Sequence, residues 1–335
     1  MTAILEVRDI DKHFDISGSI IDQVKFSNGK FHRKQTLVKA VNNVSLDVQP
    51  GETLSVVGES GCGKSTLART VMGLYRPNKG EIHYKGARID NLNSHQMRPY
   101  RTKMQMVFQD PYASLNPRMT VRQILEEPVR FHNPDLTRAE IKDKVAEVML
   151  QVGVDPVWVT NYPHEFSGGQ RQRISIARAL VVDPEFIAAD EPIAALDVSI
   201  QAQILNLLMD AQDQRGLTYL FISHDLSVVE HISTRVVVMY LGCVCELAPA
   251  KELFSNPRHP YTQALLSAIP KIGGTPGGHV KLSGDVPTPI NLPTGCVFHG
   301  RCPHANERCL REIPQQQILA NDVVVACHAV EEGRL

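Results

Sequence analysis

The stretch Thr53-Leu-Ser-Val-Val-Gly-Glu-Ser-Gly-Cys-Gly-Lys-Ser-Thr66 decides how this chain is read. Leu54 to Val57 is a short apolar run rich in strand formers that leads straight into glycines. Gly58, Glu59, Ser60, Gly61, Cys62, Gly63, Lys64 and Ser65 then fit the phosphate-loop pattern G-x-x-x-x-G-K-S/T, with Thr66 next. The glycines let backbone N–H groups converge on phosphate, Lys64 reaches β- and γ-phosphates, and the Ser65 hydroxyl suits Mg2+. Ser65 to Leu74 reads as a helix whose positive N-terminal end faces the same anion. A chance glycine-rich turn has no reason to sit between a strand and a helix.

Outward from this loop the periodicity describes an α/β chain. Residues 3–14 and 36–57 read as strands, separated by a polar, glycine-containing insertion over 15–35. Thr137 and Glu140 have capping-box spacing, and Ile141, Val145, Val148, Met149 and Val152 follow on one helical face. Beyond residue 170 helix and strand alternate: Gln170 to Val182, Phe186 to Asp190, Ile200 to Gln214, Thr218 to Ser223. Strands separated by helices predict a parallel sheet, because parallel strands need a crossover. From about residue 270 the segments GGTPGG and PTPINLPTG lack periodicity, and such a tail does not easily form a core without a staple.

Four further sites carry candidate chemistry. Phe186-Ile-Ala-Ala-Asp190-Glu191 is an apolar strand ending in two carboxylates; Asp190 suits a Mg2+ shell and Glu191 an attacking water, or Glu191 caps the next helix. Ser167-Gly168-Gly169-Gln170 opens an amphipathic helix whose bare amides bind anions, although alone Ser-Gly-Gly is equally a turn. His224 follows the strand Thr218 to Ser223, where active-site residues gather in doubly wound sheets and where a histidine can also be structural. Gln109 ends the run Met104 to Phe108, either touching Mg2+ or water or lying solvated in a loop.

Taken together and in this order, these segments resemble the ATP-binding subunits of ABC transporters, over roughly residues 3–265. The resemblance implies an ABC-ATPase cassette: a RecA-like parallel sheet core, an antiparallel β subdomain, and a helical subdomain near 110–170. It makes 58–65 the Walker A loop, Gln109 the Q-loop, 166–170 the signature, Asp190 and Glu191 the Walker B acids and His224 the switch histidine. Phe14 matches the aromatic that stacks on adenine, with an ordinary core phenylalanine as the other reading. ATP is then sandwiched between Walker A of one subunit and the signature of a second, so dimerisation completes the site. Phe166 stands where leucine is commonest, and the D-loop reads Ala194-Ala-Leu-Asp197 where many relatives begin with serine; Asp197 is retained.

Asn256-Pro-Arg-His-Pro-Tyr-Thr-Gln-Ala-Leu-Leu266 and the cysteine-containing tail over 266–335 are similar to the F-type ATPases of dipeptide and oligopeptide importers. Nickel and glutathione importers share this architecture. Cys296, Cys302, Cys309 and Cys327 are spaced C-x5-C-x6-C-x17-C, without the tight knuckles of structural zinc. Four thiolates suit a 4Fe–4S cluster, with zinc or bare thiols as alternatives, and a structural staple is its expected role. The loop Asp110 to Arg118 borders, by the resemblance, the groove for a permease coupling helix. The implied partners are a paralogous ATPase, two transmembrane permeases and an extracytoplasmic peptide-binding protein.

Composition agrees. Thirty-five basic residues balance thirty-six acidic ones, for a formal charge of −1, so no overall charge signature points to nucleic acid. Glu6, Arg8, Asp9 and Asp11 interrupt any signal-peptide core. The longest apolar run, Val236 to Val244, falls far short of the roughly 18 residues of a membrane span. Any membrane association is expected through a partner, and the resemblance implies the cytoplasmic face of the plasma membrane. A soluble ABC ATPase acting on ribosomes or nucleic acid is the rival, disfavoured because such relatives usually carry two cassettes in one chain.

Overall fold

The computed structural model describes residues 2–17, 24–27, 30–33, 35–194, 196–269 and 284–335. Its strands are β1 (Leu5–Asp15), β2 (Val24–Ser27), β3 (Lys30–Arg33), β4 (Leu37–Val48), β5 (Thr53–Val57), β6 (Lys79–Tyr84), β7 (Ala87–Arg88), β8 (Met104–Val107), β9 (Phe186–Asp190), β10 (Thr218–Ile222), β11 (Arg235–Tyr240), β12 (Cys243–Pro249), β13 (Gln317–Ile318) and β14 (Val324–Val325). The helices are α1 (Lys64–Val71), α2 (Arg98–Lys103), α3 (Pro111–Ser114), α4 (Val121–His132), α5 (Arg138–Gln151), α6 (Gly168–Leu180), α7 (Val198–Arg215), α8 (Leu226–Ile232), α9 (Ala250–Ser255), α10 (Pro260–Ser267), α11 (Glu307–Arg311) and α12 (His328–Glu331). Two compact units divide the chain, and the division passes through β5: one unit holds 1–2, 48–55 and 92–223, the other 3–47, 56–91 and 224–335.

In the first unit the strand order is β5-β10-β9-β8. β9 runs parallel to both neighbours, with Ala188 opposite Leu220 on one side and Met106 on the other. All residues of β9 and β10 are buried, as expected of parallel strands covered on both faces. Capping boxes at Thr120 and Thr137 start α4 and α5, the second as its spacing predicts. α7 stops at Gly216, whose left-handed φ of 65° lets its N–H donate to the Gln212 carbonyl at 2.7 Å.

The second unit carries an antiparallel sheet ordered β4-β1-β6-β7. Leu5 of β1 faces Tyr84 of β6, and the register shifts between Arg8 and Asp11. A second run, β13-β14-β12-β11 with β5 next, is antiparallel from β13 to β11. Of the expected insertion over 15–35, the described part includes the hairpin of β2 and β3. The GGTPGG segment lies outside the described residues.

The tail beyond 284 differs from the coreless segment its composition predicts. β14 pairs with β12, and Phe298, 1% exposed, sits among Tyr240, Tyr261, Cys296, Cys309 and Val323. Its ring centroid is 5.3 Å from those of both Tyr240 and Tyr261. Burying one such side chain contributes roughly 1.5–3 kcal/mol. The tail thus shares the core of β11 and β12, which supplies the cohesion that sequence reasoning assigned to a metal staple.

Candidate nucleotide site

β5 delivers the chain into the glycine loop, and the loop's shape follows from where side chains cannot go. Gly63 has φ +103°, and a Cβ there would lie 2.0 Å from the Ala40 carbonyl oxygen; one on Gly58 would lie 2.1 Å from that of Met239. Only glycine fits both positions. Ser60 and Gly61 are exposed at the crest. Lys64, 5% exposed, curls over the loop, its Nζ donating to the carbonyls of Gly58 at 2.7 Å and Glu59 at 3.0 Å. Cys62 is buried beneath it, and burial pushes its thiol pKa up. Ser65 and Thr66 stand half-buried in the first turn of α1.

Glu59 is held on three sides. Its N–H donates to the Tyr261 hydroxyl at 2.9 Å, and its carboxylate accepts two bonds from the Arg301 guanidinium, at 2.7 and 3.0 Å. Its carbonyl takes the Lys64 bond. Sequence reasoning placed Glu59 in the loop but missed both partners. Arg301 stands 242 positions away along the chain, beyond any local signal. Tyr261 is visible only as part of His259-Pro-Tyr261.

On the other unit, Asp190 ends β9 fully buried. Glu191 turns out of the strand at φ +47°, anchored by its N–H on the Ile222 carbonyl at 3.0 Å. Its Oε2 accepts from the Gln109 amide at 2.9 Å, so the structure brings these two predicted residues together. Asp197, not Glu191, occupies the N-cap position of the following helix, α7. Ala195 of the D-loop lies outside the described residues. His224 is exposed, next to Asp225, which caps α8 by accepting from the Ser227 N–H at 2.9 Å.

The signature segment forms a cap as its spacing implies. The Ser167 N–H donates to Gln170 Oε1 at 2.9 Å and the Gln170 N–H donates back to Ser167 Oγ at 3.3 Å. Gly168 and Gly169 open α6, and a Cβ on Gly169 would meet Ile200 Cγ2 at 2.6 Å. Phe166 is buried edge-on to Trp158, a fit that accommodates the departure from leucine. The loop after Gln109 is the short helix α3, capped by Asp110; its Tyr112 is 65% exposed with the Arg171 guanidinium 3.9 Å from its ring centroid.

Phe14 is half-buried rather than a core residue. Its ring meets Tyr75 edge-on at 5.3 Å, with Lys12 Nζ 4.9 Å from the Phe14 centroid. Tyr75 and Lys12 were not singled out in sequence, because neither belongs to a spaced motif.

For the four cysteines, the structure gives the expected cluster no geometric support. Cys296, Cys309 and Cys327 are buried, Cys302 half-buried, and all four are free thiols. Burial pushes Cys296 up to about 12 and raises Cys302 and Cys327. Yet among the described residues no three His, Cys, Asp or Glu side chains gather into a metal-holding group. The expected iron–sulfur or zinc tetrad is therefore not displayed as a ligand cage. Desolvation favours the neutral thiols.

Comparison with known proteins now decides the family. The ABC transporter family matches residues 41–194, and the family described as the C-terminal region of oligopeptide/dipeptide transporters matches 245–309. The oligopeptide transport ATP-binding protein AppF of Bacillus subtilis is 53% identical over 97% of this chain and 97% of its own length. This chain belongs to the ABC transporter ATP-binding family. Another relative of this ABC cassette, the di/tripeptide transport ATP-binding protein DppF of Pseudomonas aeruginosa, is 46% identical over 99% of both chains. Among solved structures, a dimeric ATP-binding cassette in a post-hydrolysis state with ADP and Pi is 26% identical. It covers 73% of this chain and 98% of its own, with a TM-score of 0.63. The family fold is thus the ABC-ATPase cassette, and ATP hydrolysis is the family's reaction.

Proposed function

We propose that this ABC ATPase powers a membrane importer of di- or oligopeptides. Residues 1–265 form the ATPase cassette and 266–335 the extension in this reading. The names of the relatives support peptide over nickel or glutathione as cargo. In this reading the chain works at the cytoplasmic face, held by two permeases and a paralogous ATPase; no helix among the described residues is long and apolar enough to cross a membrane. A peptide-binding protein on the far side delivers cargo to that complex.

The observation that carries the mechanism is the 2.9 Å bond from Gln109 to Glu191. It orients the carboxylate at the end of β9, where a water can be polarised for in-line attack on the γ-phosphate. Lys64 and the loop amides bind the phosphates, Phe14 stacks on adenine, and His224 senses the γ-phosphate. The oxygen donors Ser65, Asp190 and Gln109 suit Mg2+, which supplies charge neutralisation on the phosphates when bound with the nucleotide. Ser167, Gly168, Gly169 and Gln170 serve the nucleotide of a second cassette, whose own signature completes this one, with Asp197 at that interface.

For the tail, the reading of a 4Fe–4S cluster rests on its all-sulfur donor set, Cys296, Cys302, Cys309 and Cys327.

The catalytic assignment is tested by Glu191→Gln in the assembled transporter. ATP binding should persist while hydrolysis falls by at least about 100-fold, the lower range for losing a general base. Turnover within a few-fold of wild type would remove Glu191 from the role.

A further inference from the structure

We propose that the C-terminal region holds the phosphate loop in its nucleotide-binding shape, with Arg301 and Tyr261 as positioning residues acting through Glu59. Among the described residues, the hydrogen bonds of both residues to the loop go to Glu59. Both seize the loop one residue after Gly58, where it leaves β5.

Glu59 uses its backbone and its side chain at once. Its carbonyl accepts from Lys64 Nζ at 3.0 Å, its N–H donates to Tyr261 Oη at 2.9 Å, and both carboxylate oxygens accept from Arg301. The Lys64 bond is temporary, because the same ammonium must turn to the β- and γ-phosphates when nucleotide enters. From that moment Glu59 keeps the Cys62 N–H on its carbonyl at 3.2 Å, a bond inside the loop, and the two anchors from the C-terminal region. The Gly242 N–H bond to the Cys62 carbonyl at 2.9 Å holds the loop further along, so these two anchors fix its start, where glycine leaves the backbone freest.

Both anchors are themselves rigid. Arg301 has its side chain 9% exposed, and its Nη1 also reaches the Tyr240 hydroxyl at 3.4 Å. Tyr261 is fully buried between the rings of Tyr240 and Phe298, at 4.8 and 5.3 Å. His259 sets the tyrosine's helix by accepting the Tyr261 N–H at 3.0 Å, and buried Glu246 accepts the N–H groups of Arg258 and His259 at 2.9 Å each. The His259-Pro-Tyr261 segment therefore has a physical purpose: it aims one phenol at the loop. A planar bidentate guanidinium on a carboxylate fixes orientation as well as distance, which an ammonium cannot do.

Loop contacts act on bound ATP throughout the reaction, so loosening them raises KM more than it lowers kcat. The experiment is Mg-ATP binding to the full chain, with KM and kcat in the assembled transporter. Arg301→Ala should weaken ATP binding by about tenfold or more, the scale of a charge-assisted bond, with kcat held within about threefold. Tyr261→Phe should weaken it by a few-fold, Arg301→Lys should recover part of the loss, and the exchange Glu59→Arg with Arg301→Glu should recover more than either single change. Arg308→Ala is the control: Arg308 joins Glu312, Glu331 and Glu332 inside the tail and makes no bond to the loop. If Arg301→Ala does not fold, Arg301→Lys and Tyr261→Phe carry the test. Unchanged ATP affinity in those variants, or an equal loss in Arg308→Ala, overturns the proposal.

Discussion

Two glycines of the phosphate loop give opposite expectations although their sequence roles look alike. Gly61 and Gly63 both have positive φ, +79° and +103°. A Cβ on Gly61 meets nothing within 4 Å, so Gly61→Ala bears only backbone strain, roughly 1–2 kcal/mol. A Cβ on Gly63 would lie 2.0 Å from the Ala40 oxygen, 3.2 Å from the Ala40 carbon and 3.6 Å from Gly242 Cα. Those are backbone atoms, with no flexible side chain to swing away. Relief requires the loop or β4 to shift by more than about 1 Å, beyond the usual range of a point substitution and above about 4 kcal/mol. Thermal melting of the full chain without nucleotide is the assay, since it removes any effect of ligand contacts. Gly61→Ala should lower Tm by about 1–3 °C, at roughly 1.4 °C per kcal/mol for a chain of 335 residues. Gly63→Ala should lower it several times further or leave no cooperative transition. Equal melting of the two variants would refute the steric reasoning.

Two other outcomes follow from the C-terminal region. Burial pushes His259 down to about 3 from an ordinary 6.5, so the unfolded chain takes a proton that the folded chain refuses between those values. That share of stability is complete above about pH 6.5 and is lost toward pH 3, at about 1.4 kcal/mol per pH unit. Glu246, raised by burial, has the opposite slope above the ordinary carboxylate range, and it is present in both proteins if His259→Gln is compared with wild type. The wild-type advantage in urea unfolding should therefore shrink between about pH 6 and about pH 4, and a constant difference would contradict the linkage. For the cysteines, anoxically purified chain should contain iron with labile sulfide; stoichiometric zinc without iron, or neither metal, would reject the cluster.

The sequence was most legible where function imposes spacing. The loop 58–65, the strand ending in Asp190 and Glu191, and the cap at Ser167 are local patterns, and local hydrogen bonds such as Ser167 to Gln170 can be read from separation alone. The parallel pairing of β9 followed from alternation of strands and helices. What stayed hidden was long-range. The bond between Gln109 and Glu191 joins residues 82 apart, and periodicity carries no trace of it. The tail misled for a related reason: its composition looks coreless because its apolar partners, Tyr240, Cys245 and Leu253, belong to an earlier stretch of chain. Phe298 has no periodic neighbours in sequence and three aromatic ones in space.

The ion pair between Glu59 and Arg301 also bears on how cassettes of this family can be recombined. A tail joined to a foreign cassette lacking an acid at the Glu59 position would bring a desolvated guanidinium with no counter-charge. A cassette stripped of its tail would expose the rings of Tyr240 and Tyr261 to water. Loop and tail therefore belong together in any chimera, and a chain truncated before Arg301 is a poor surrogate for the intact ATPase.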